Sequence, residues 1–80
     1  MYIVERFVRG EGTSFVARCA NRAEAFAAVR EDVERFYGRR MSVEGVHASM
    51  RPRYDGCVAS YHVVGREVWY NVYLAEVLNG

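Results

Sequence analysis

One segment of this chain, residues 22–37, has the periodicity of an amphipathic helix, whereas the other structured segments alternate as strands do. Phe26, Val29, Val33 and Phe36 recur at spacings of three and four residues, which predicts one apolar stripe. An apolar stripe on a single helix needs a second layer to cover it. The remainder of the chain therefore has to supply that layer as a sheet.

Signals at both ends indicate where this helix begins and ends. Asn21 is a favoured N-cap residue, and Glu24 follows it at the capping-box spacing. Gly38 is placed to end the helix, because glycine readily adopts the left-handed conformation that follows a last helical turn. The side opposite the stripe is expected to be a solvated acidic surface. Its acids include Glu31, Asp32 and Glu34.

Five segments carry the alternation of β-strands, at residues 2–9, 14–20, 43–51, 57–64 and 67 to about 77. They predict a two-layer α+β sandwich in ββαβββ order, with one helix packed on a five-stranded, mostly antiparallel sheet. Eighty residues without a linker or repeat predict one domain, residues 1–80.

The first two strands differ in regularity. The first is apolar on both faces, which indicates a central or partly covered strand or a bulge near Glu5. The second alternates cleanly, so Phe15, Ala17 and Cys19 are expected to face the helix.

The pair Gly65-Arg66 predicts a two-residue hairpin turn, which would set the pairing of the last two strands. In that register Tyr61 opposes Tyr70, and Ala59 opposes Val72. This apolar set is expected to face the helix. The set also includes Val63, Val68, Cys57 and Leu74.

The sheet face turned away from the helix is called the outer face. There the same register pairs His62 with Trp69, Ser60 with Asn71, and Val58 with Tyr73. The third strand adds His47 and Arg51 if it lies beside the fourth. Trp, Tyr and Arg are enriched at binding hot spots, so the outer face is predicted to bind a partner. The candidate contact residues are Trp69, Tyr73, His62, Asn71, Val58, Arg51 and His47.

Motifs of catalytic or cofactor chemistry are not found in the sequence. Cys19 and Cys57 are expected on inward faces, where a thiol behaves as a small inert hydrophobe. His47 and His62 can share the outer face, but a metal site needs three or four ligands and no acid or cysteine is placed beside them. We therefore expect no enzymatic activity, no cofactor and no metal site.

Charge composition bears on the class of partner. Eleven cations, all of them Arg, against ten acids leave a net charge of +1, well below the excess typical of nucleic-acid binders. Arg39, Arg40, Arg51 and Arg53 can nevertheless gather at one edge beside an aromatic face, a combination that suits single-stranded nucleic acid. A protein partner is the main expectation, with nucleic acid as the alternative and a homodimer also open.

Segments that would direct the chain to a membrane or out of the cell are not expected. The apolar runs stay well short of the ~20 residues of a membrane span. The chain also reaches charge at Glu5 and Arg6, unlike a signal peptide, and two Cys are too few for a secreted disulfide framework. These observations predict a cytoplasmic protein.

The organisation resembles the small, motif-free proteins of phages and mobile elements, such as anti-CRISPR inhibitors. The likeness lies in the one-domain size, the lack of a catalytic motif and the exposed face around Trp69 and Tyr73. It implies a non-enzymatic inhibitor that occupies a surface of a larger host complex. The hairpin and helix of the first half are also similar to the partial RNase-H-like antitoxin pattern.

Overall fold

The computed structural model describes residues 1–45 and 57–75, and the elements follow the order β-β-α-β-β-β. The strands are β1 (Tyr2–Val8), β2 (Gly12–Cys19), β3 (Val43–Gly45), β4 (Cys57–Val63) and β5 (Val68–Leu74), and the helix is α1 (Arg22–Tyr37). The predicted α+β fold, one helix packed on a five-stranded antiparallel sheet, is confirmed. The predicted continuation of β3 to residue 51, which includes His47 and Arg51, lies outside the described residues, as does Arg53.

The helix has the predicted bounds because both of its caps form. The Glu24 backbone N–H donates to Asn21 Oδ1 at 2.9 Å, and the Glu24 carboxylate accepts from the Ala20 N–H at 3.0 Å. At the other end, Gly38 has a φ of 108° and donates its N–H to the Val33 carbonyl at 3.1 Å. The caps satisfy backbone groups that the helix ends would otherwise leave unpaired.

The strand order is β2-β1-β5-β4-β3, so the last strand in the sequence is the central strand of the sheet. The strand β5 pairs with β1 on one side and with β4 on the other, and both pairings are antiparallel. The pairing of β1 with β5 joins distant parts of the chain, since Val8 opposes Val68 and Tyr2 opposes Leu74.

The helix packs across β2, β1, β5 and β4, mainly through small and branched side chains. The buried residues are Val4, Ala25, Val29, Val33, Val63, Val68, Tyr70 and Val72. The predicted stripe is displaced, because Phe26 and Phe36 are 43% and 56% exposed and lie beside this buried line. Ala25, Val29 and Val33 recur every four residues, and their small volumes bring the helix close to the sheet. The rings of Phe26 and Phe36 therefore lie at the borders of the contact between helix and sheet.

A bulge in β2 lies opposite Val4 and Glu5 and overturns the prediction for Phe15. A bulge near Glu5 was one of two alternatives for the first strand, and the extra residue belongs to the second strand instead. Val4 opposes Ala17 and Glu5 opposes Phe15, so Val16 is the extra residue. The bulge moves Phe15 to the outer face beside Glu5, where it is 64% exposed. Ala17 and Cys19 pack against the core as expected, and Val16 joins them.

A second irregularity alters the end of the last hairpin. The predicted pairs Tyr61–Tyr70, Ala59–Val72, Ser60–Asn71 and His62–Trp69 are all present. Beyond Ala59 the register shifts, and Cys57, instead of Val58, opposes Tyr73. The predicted places of these two residues are therefore wrong: Val58 packs against the core, and Cys57 lies on the outer face. Leu74, expected inside, is 46% exposed.

The turn between β4 and β5 keeps the predicted register with a different geometry. The Arg66 N–H donates to the Val63 carbonyl at 3.0 Å, which makes Val64 and Gly65 the central residues. Gly65 has a φ of 84°, and a positive φ at the third turn position is the requirement of a type II turn. The two-residue turn predicted at Gly65-Arg66 would instead have placed Gly65 at the second turn position, which corresponds to a type II′ turn.

Within the described ranges, no helix has the length and apolarity needed to cross a membrane.

Candidate functional site on the outer face

Three aromatic rings lie side by side across the outer face, and we call Phe7, Trp69 and His62 the aromatic row. Trp69 on the central strand opposes Phe7 on one side and His62 on the other. The Trp69 ring stacks on His62 at a centroid distance of 5.1 Å and an interplanar angle of 27°. The Phe7 ring lies 5.9 Å from the Trp69 ring and is tilted by 45°. The pleat thus aligns three ring systems from three strands.

The His62 ring is held in place by an acceptor at each nitrogen. Nε2 lies 2.7 Å from the Arg66 carbonyl oxygen, which can only accept, so Nε2–H is the donor. Nδ1 lies 3.3 Å from Glu44 Oε1 on β3. These contacts fix the ring against Trp69.

Arg9 contributes a positive charge above the aromatic row. Its guanidinium carbon lies 5.6 Å from the Trp69 ring centroid, a cation–π arrangement. Arg9 Nε also lies 3.0 Å from the Glu67 carboxylate, and both side chains are well exposed. Such an exposed ion pair is worth at most about 1 kcal/mol, so a competing partner can displace it.

Asn71 lies on the outer face as predicted, but it is fully buried, so the expectation that its side chain is exposed is wrong. Its Oδ1 accepts a 2.7 Å hydrogen bond from Ser60 Oγ, and Ser60 is buried as well. The Asn71 Nδ2 group has no hydrogen-bond partner in the described part of the chain. This amide therefore acts inside the sheet and is not available to a partner.

Two aromatic residues beyond the row extend the apolar area of the outer face. Phe15 is the most exposed large hydrophobic residue among those described. Tyr73, which was predicted, is partly buried and lies four residues from Trp69 on the same strand. Sequence reasoning missed Phe7 and Phe15. The bulge considered near Glu5 was the available signal for Phe15, because an irregularity there changes which residues of the facing strand β2 lie on the outer face.

The predicted arginine edge is described only in part. Arg39 and Arg40 are exposed in the segment after α1. Arg66, which sequence reasoning did not select, lies in the nearby turn with its guanidinium carbon 5.8 Å from the Tyr37 ring. Arg51 and Arg53 lie outside the described residues.

A buried polar cluster under the helix joins Arg6, Asp32 and Tyr70. Arg6 Nη1 lies 2.6 Å from Asp32 Oδ2, and the Tyr70 hydroxyl donates to that same oxygen at 2.5 Å. Asp32 is only 7% exposed, so its expected place in a solvated acidic cluster is wrong. The signal was available, because Asp32 lies three residues after Val29, on the inward side of α1.

The electrostatics of this cluster keep its members in single protonation states. Burial raises the pKa of the Tyr70 hydroxyl, and the hydrogen bond and charge of Asp32 raise it further. Burial alone would lower the pKa of Arg6, but the hydrogen bond and charge of Asp32 outweigh burial and raise it. Tyr70 thus stays neutral and Arg6 charged, which suits a structural role.

The two thiols occupy different environments. Burial raises the pKa of the Cys19 thiol, and the nearby charge of Glu24 adds to the effect, so this thiol is disfavoured as a nucleophile. Cys57 Sγ lies 3.6 Å from Ser60 Oγ on the outer face. Neither cysteine is in a disulfide. Among the described residues, no group of three or more His, Cys, Asp or Glu side chains is arranged to hold a metal ion.

Comparisons of the chain with protein-family models, with curated proteins and with solved structures gave no match. The functional argument therefore depends on the geometry of the outer face and of the charged groups around it.

Proposed function

We propose that this protein is a non-enzymatic binding module that acts by occupying a surface of a protein partner. The observation that carries the proposal is the aromatic row, in which Phe7, Trp69 and His62 form a pre-ordered strip on the sheet face opposite the helix. Rings held by cross-strand contacts lose little conformational freedom on binding, which favours affinity. An inhibitor of a larger host complex, of the anti-CRISPR type, is one form of this function.

The apolar area around the row also supports a protein partner. Phe15 exposes most of its ring on the same face, and an exposed aromatic beside ordered rings is typical of a contact surface. Arg9 lies at the border of the row, and Arg is likewise enriched at interfaces. The proposal places the protein in the cytoplasm, where its two thiols stay reduced.

The test is capture of host proteins by the immobilised full chain, followed by mass spectrometry. Phe7→Ala and Trp69→Ala are compared with Phe26→Ala, which removes a partly exposed ring from the helix instead of the outer face. We expect the wild type and the Phe26 variant to retain the same protein. Removing a hot-spot ring costs about 2 kcal/mol of binding free energy, or about thirtyfold in affinity.

Other outcomes contradict the proposal in distinct ways. Equal retention by all three variants would show that the aromatic row is not the contact surface. Recovery of nucleic acid without protein, with affinity that falls steeply as salt rises, would favour the nucleic-acid alternative. Circular dichroism of each variant shows whether the fold is intact.

A further inference from the structure

Three arginines lie at the end of the molecule where the helix terminates. Arg39 and Arg40 follow Gly38, and Arg66 lies in the turn between β4 and β5. All three are exposed, and none has an ion-pair partner among residues 1–45 and 57–75. We call Arg39, Arg40 and Arg66 the arginine cluster.

Direct contacts hold the two segments of the cluster together. The Val64 N–H donates to the Ser42 carbonyl at 3.0 Å, which ties the turn to the segment after the helix. The Arg66 guanidinium lies over the ring of Tyr37, the last residue of α1. The acids nearest in sequence already have partners, since Glu67 pairs with Arg9 and Glu44 contacts His62. The positive charge of the cluster therefore remains uncompensated by the described residues.

The helix dipole does not account for these charges. A cation is favoured by the dipole within the last turn of a helix, and Arg35 already occupies that turn. Arg39 and Arg40 come after the capping glycine, where the effect has largely faded. Their exposed positions also rule out a packing role.

The cluster and the aromatic row meet at the turn between β4 and β5. There the Arg66 backbone carbonyl accepts from the His62 Nε2–H on the outer face, while the Arg66 guanidinium lies over Tyr37 on the helix side, so a segment that follows this end of the molecule reaches both. We propose that the arginine cluster binds carboxylates of an acidic protein segment that lies across the aromatic row. This inference rests on the proposed function and specifies the chemistry of its partner. Planar guanidinium groups form bidentate hydrogen bonds with carboxylates, which gives the contact direction as well as attraction.

Charge favours an acidic protein over nucleic acid as the occupant. Three phosphate contacts on a single strand give a slope of only about −2 in log affinity against log salt concentration. Such a slope is shallow for a protein whose affinity comes from the phosphate backbone of a nucleic acid. The net charge of the whole chain is only +1, which supplies no wider positive field to hold the remainder of a polyanionic strand.

The experiment measures binding of the full chain to a fluorescein-labelled peptide rich in Glu and Tyr, by fluorescence anisotropy. The same peptide with Gln at every Glu is the first control, and an oligothymidylate is the second. We expect Arg39→Glu/Arg40→Glu and, separately, Arg66→Glu to weaken binding of the Glu-rich peptide about tenfold or more. Arg18→Glu makes the same charge change as Arg66→Glu, but near the end of β2 that lies at the opposite end of the sheet, and should leave binding within about twofold.

Four results would overturn the inference: no binding of the Glu-rich peptide, equal binding of the Gln peptide, equal weakening by Arg18→Glu, or tighter binding of the oligothymidylate. Trp69→Ala in the same titration separates this inference from the proposed function. If the Arg variants bind the peptide normally and Trp69→Ala does not, the role of the arginine cluster is contradicted and the aromatic row is supported as the contact surface. If the Arg variants lose binding of the peptide and Trp69→Ala binds it normally, the carboxylate-binding role of the arginine cluster is supported and the aromatic row is contradicted as the contact surface.

Discussion

Asp32 shows how one carboxylate can decide the packing of a small helix. Both the Arg6 guanidinium and the Tyr70 hydroxyl bond to a single oxygen of this side chain. The cluster therefore links α1 to β1 and β5 by polar contacts beneath the helix. A charged group so deeply placed is tolerated only because both partners are supplied.

Removing this carboxylate should destabilise the fold far more than removing an exposed acid of the same helix. Asp32→Ala leaves the Arg6 charge unpaired and the Tyr70 hydroxyl without an acceptor, at an expected cost of about 3 kcal/mol in the free energy of unfolding. Glu34→Ala removes an exposed acid 4.0 Å from Arg30 and should cost no more than about 0.5 kcal/mol. Urea unfolding of both variants measures the difference, and equal midpoints would contradict the role of Asp32.

The Tyr70 hydroxyl should also make stability depend on pH in alkaline solution. Its pKa is raised in the folded protein, so above the ordinary value of about 10 the unfolded chain releases a proton that the folded chain keeps. The stabilisation is complete below that pH and is lost as pH rises. One such group lowers the free energy of unfolding by about 1.4 kcal/mol per pH unit.

Tyr70→Phe isolates this contribution. The variant lacks the ionising hydroxyl but keeps the ring, so its urea midpoint should fall less steeply above about pH 10 than that of the wild type. Cys19 has the same sign of shift and is present in both proteins, so it cancels in the comparison. Parallel curves for the two proteins would show that Tyr70 ionises equally in both states.

At the scale of elements, the register of the last hairpin determines which side chains of β5 are structural. Tyr70 is fully buried beneath the helix, whereas Trp69 lies between two rings on the outer face. Tyr70→Ala should cost about 3–5 kcal/mol in unfolding free energy, because it opens a cavity and removes the Asp32 contact. Trp69→Ala should cost about 1–2 kcal/mol, the sum of a few cross-strand contacts. Urea midpoints that fall equally in the two variants would mean that the two faces are not as assigned.

The elements and most of the register followed from local signals. The caps at Asn21 and Gly38 set the helix bounds, and a turn at Gly65 was enough to align β4 with β5. The irregularities were harder, because a bulge depends on how two strands twist against each other and not on either strand alone. That is why Phe15 and Val58 were placed on the wrong faces although their strands were recognised.

The candidate site was predicted in outline and altered in detail for the same reason. Trp69, His62 and Tyr73 lie on the outer face because alternation along β4 and β5 is regular there. The neighbour on the other side of Trp69, Phe7, depended on the strand order, which no local pattern encodes. The burial of Asn71 could not be predicted from the alternation along β5, since alternation indicates which face a side chain is on and not how much of it is exposed.

At the scale of the whole molecule, the sheet is assembled from both ends of the described chain. The central strand β5 comes after the other strands in the sequence and pairs with both β1 and β4. The β1–β2 hairpin and the β3–β4 pair are therefore joined into one sheet only when β5 lies between them. Pairings of such large sequence separation are costly in loop-closure entropy and slow the folding of a domain. The helix α1 and the β1–β2 hairpin form from residues close in sequence, so their loop-closure entropy cost is small.

This arrangement predicts a gradient of amide hydrogen exchange across the sheet. The strand β5 bonds to neighbours on both sides and carries Val68, Tyr70 and Val72 in the core, so its amides should exchange only through global unfolding. Among the strands of residues 1–45 and 57–75, β2 lies at an edge and pairs with β1 alone, and its first four residues are exposed. Its outward amides should therefore exchange through local opening, much faster than those of β5.

Exchange followed by mass spectrometry at several protein concentrations measures this gradient. Protection of β2 as strong as that of β5 at every concentration would contradict the strand order, because an edge amide has no partner strand on its outer side. Protection of β2 that appears only at high concentration has a different meaning. It would show that a second copy of the chain pairs with this edge, and the homodimer would then form along β2 and not through the aromatic row.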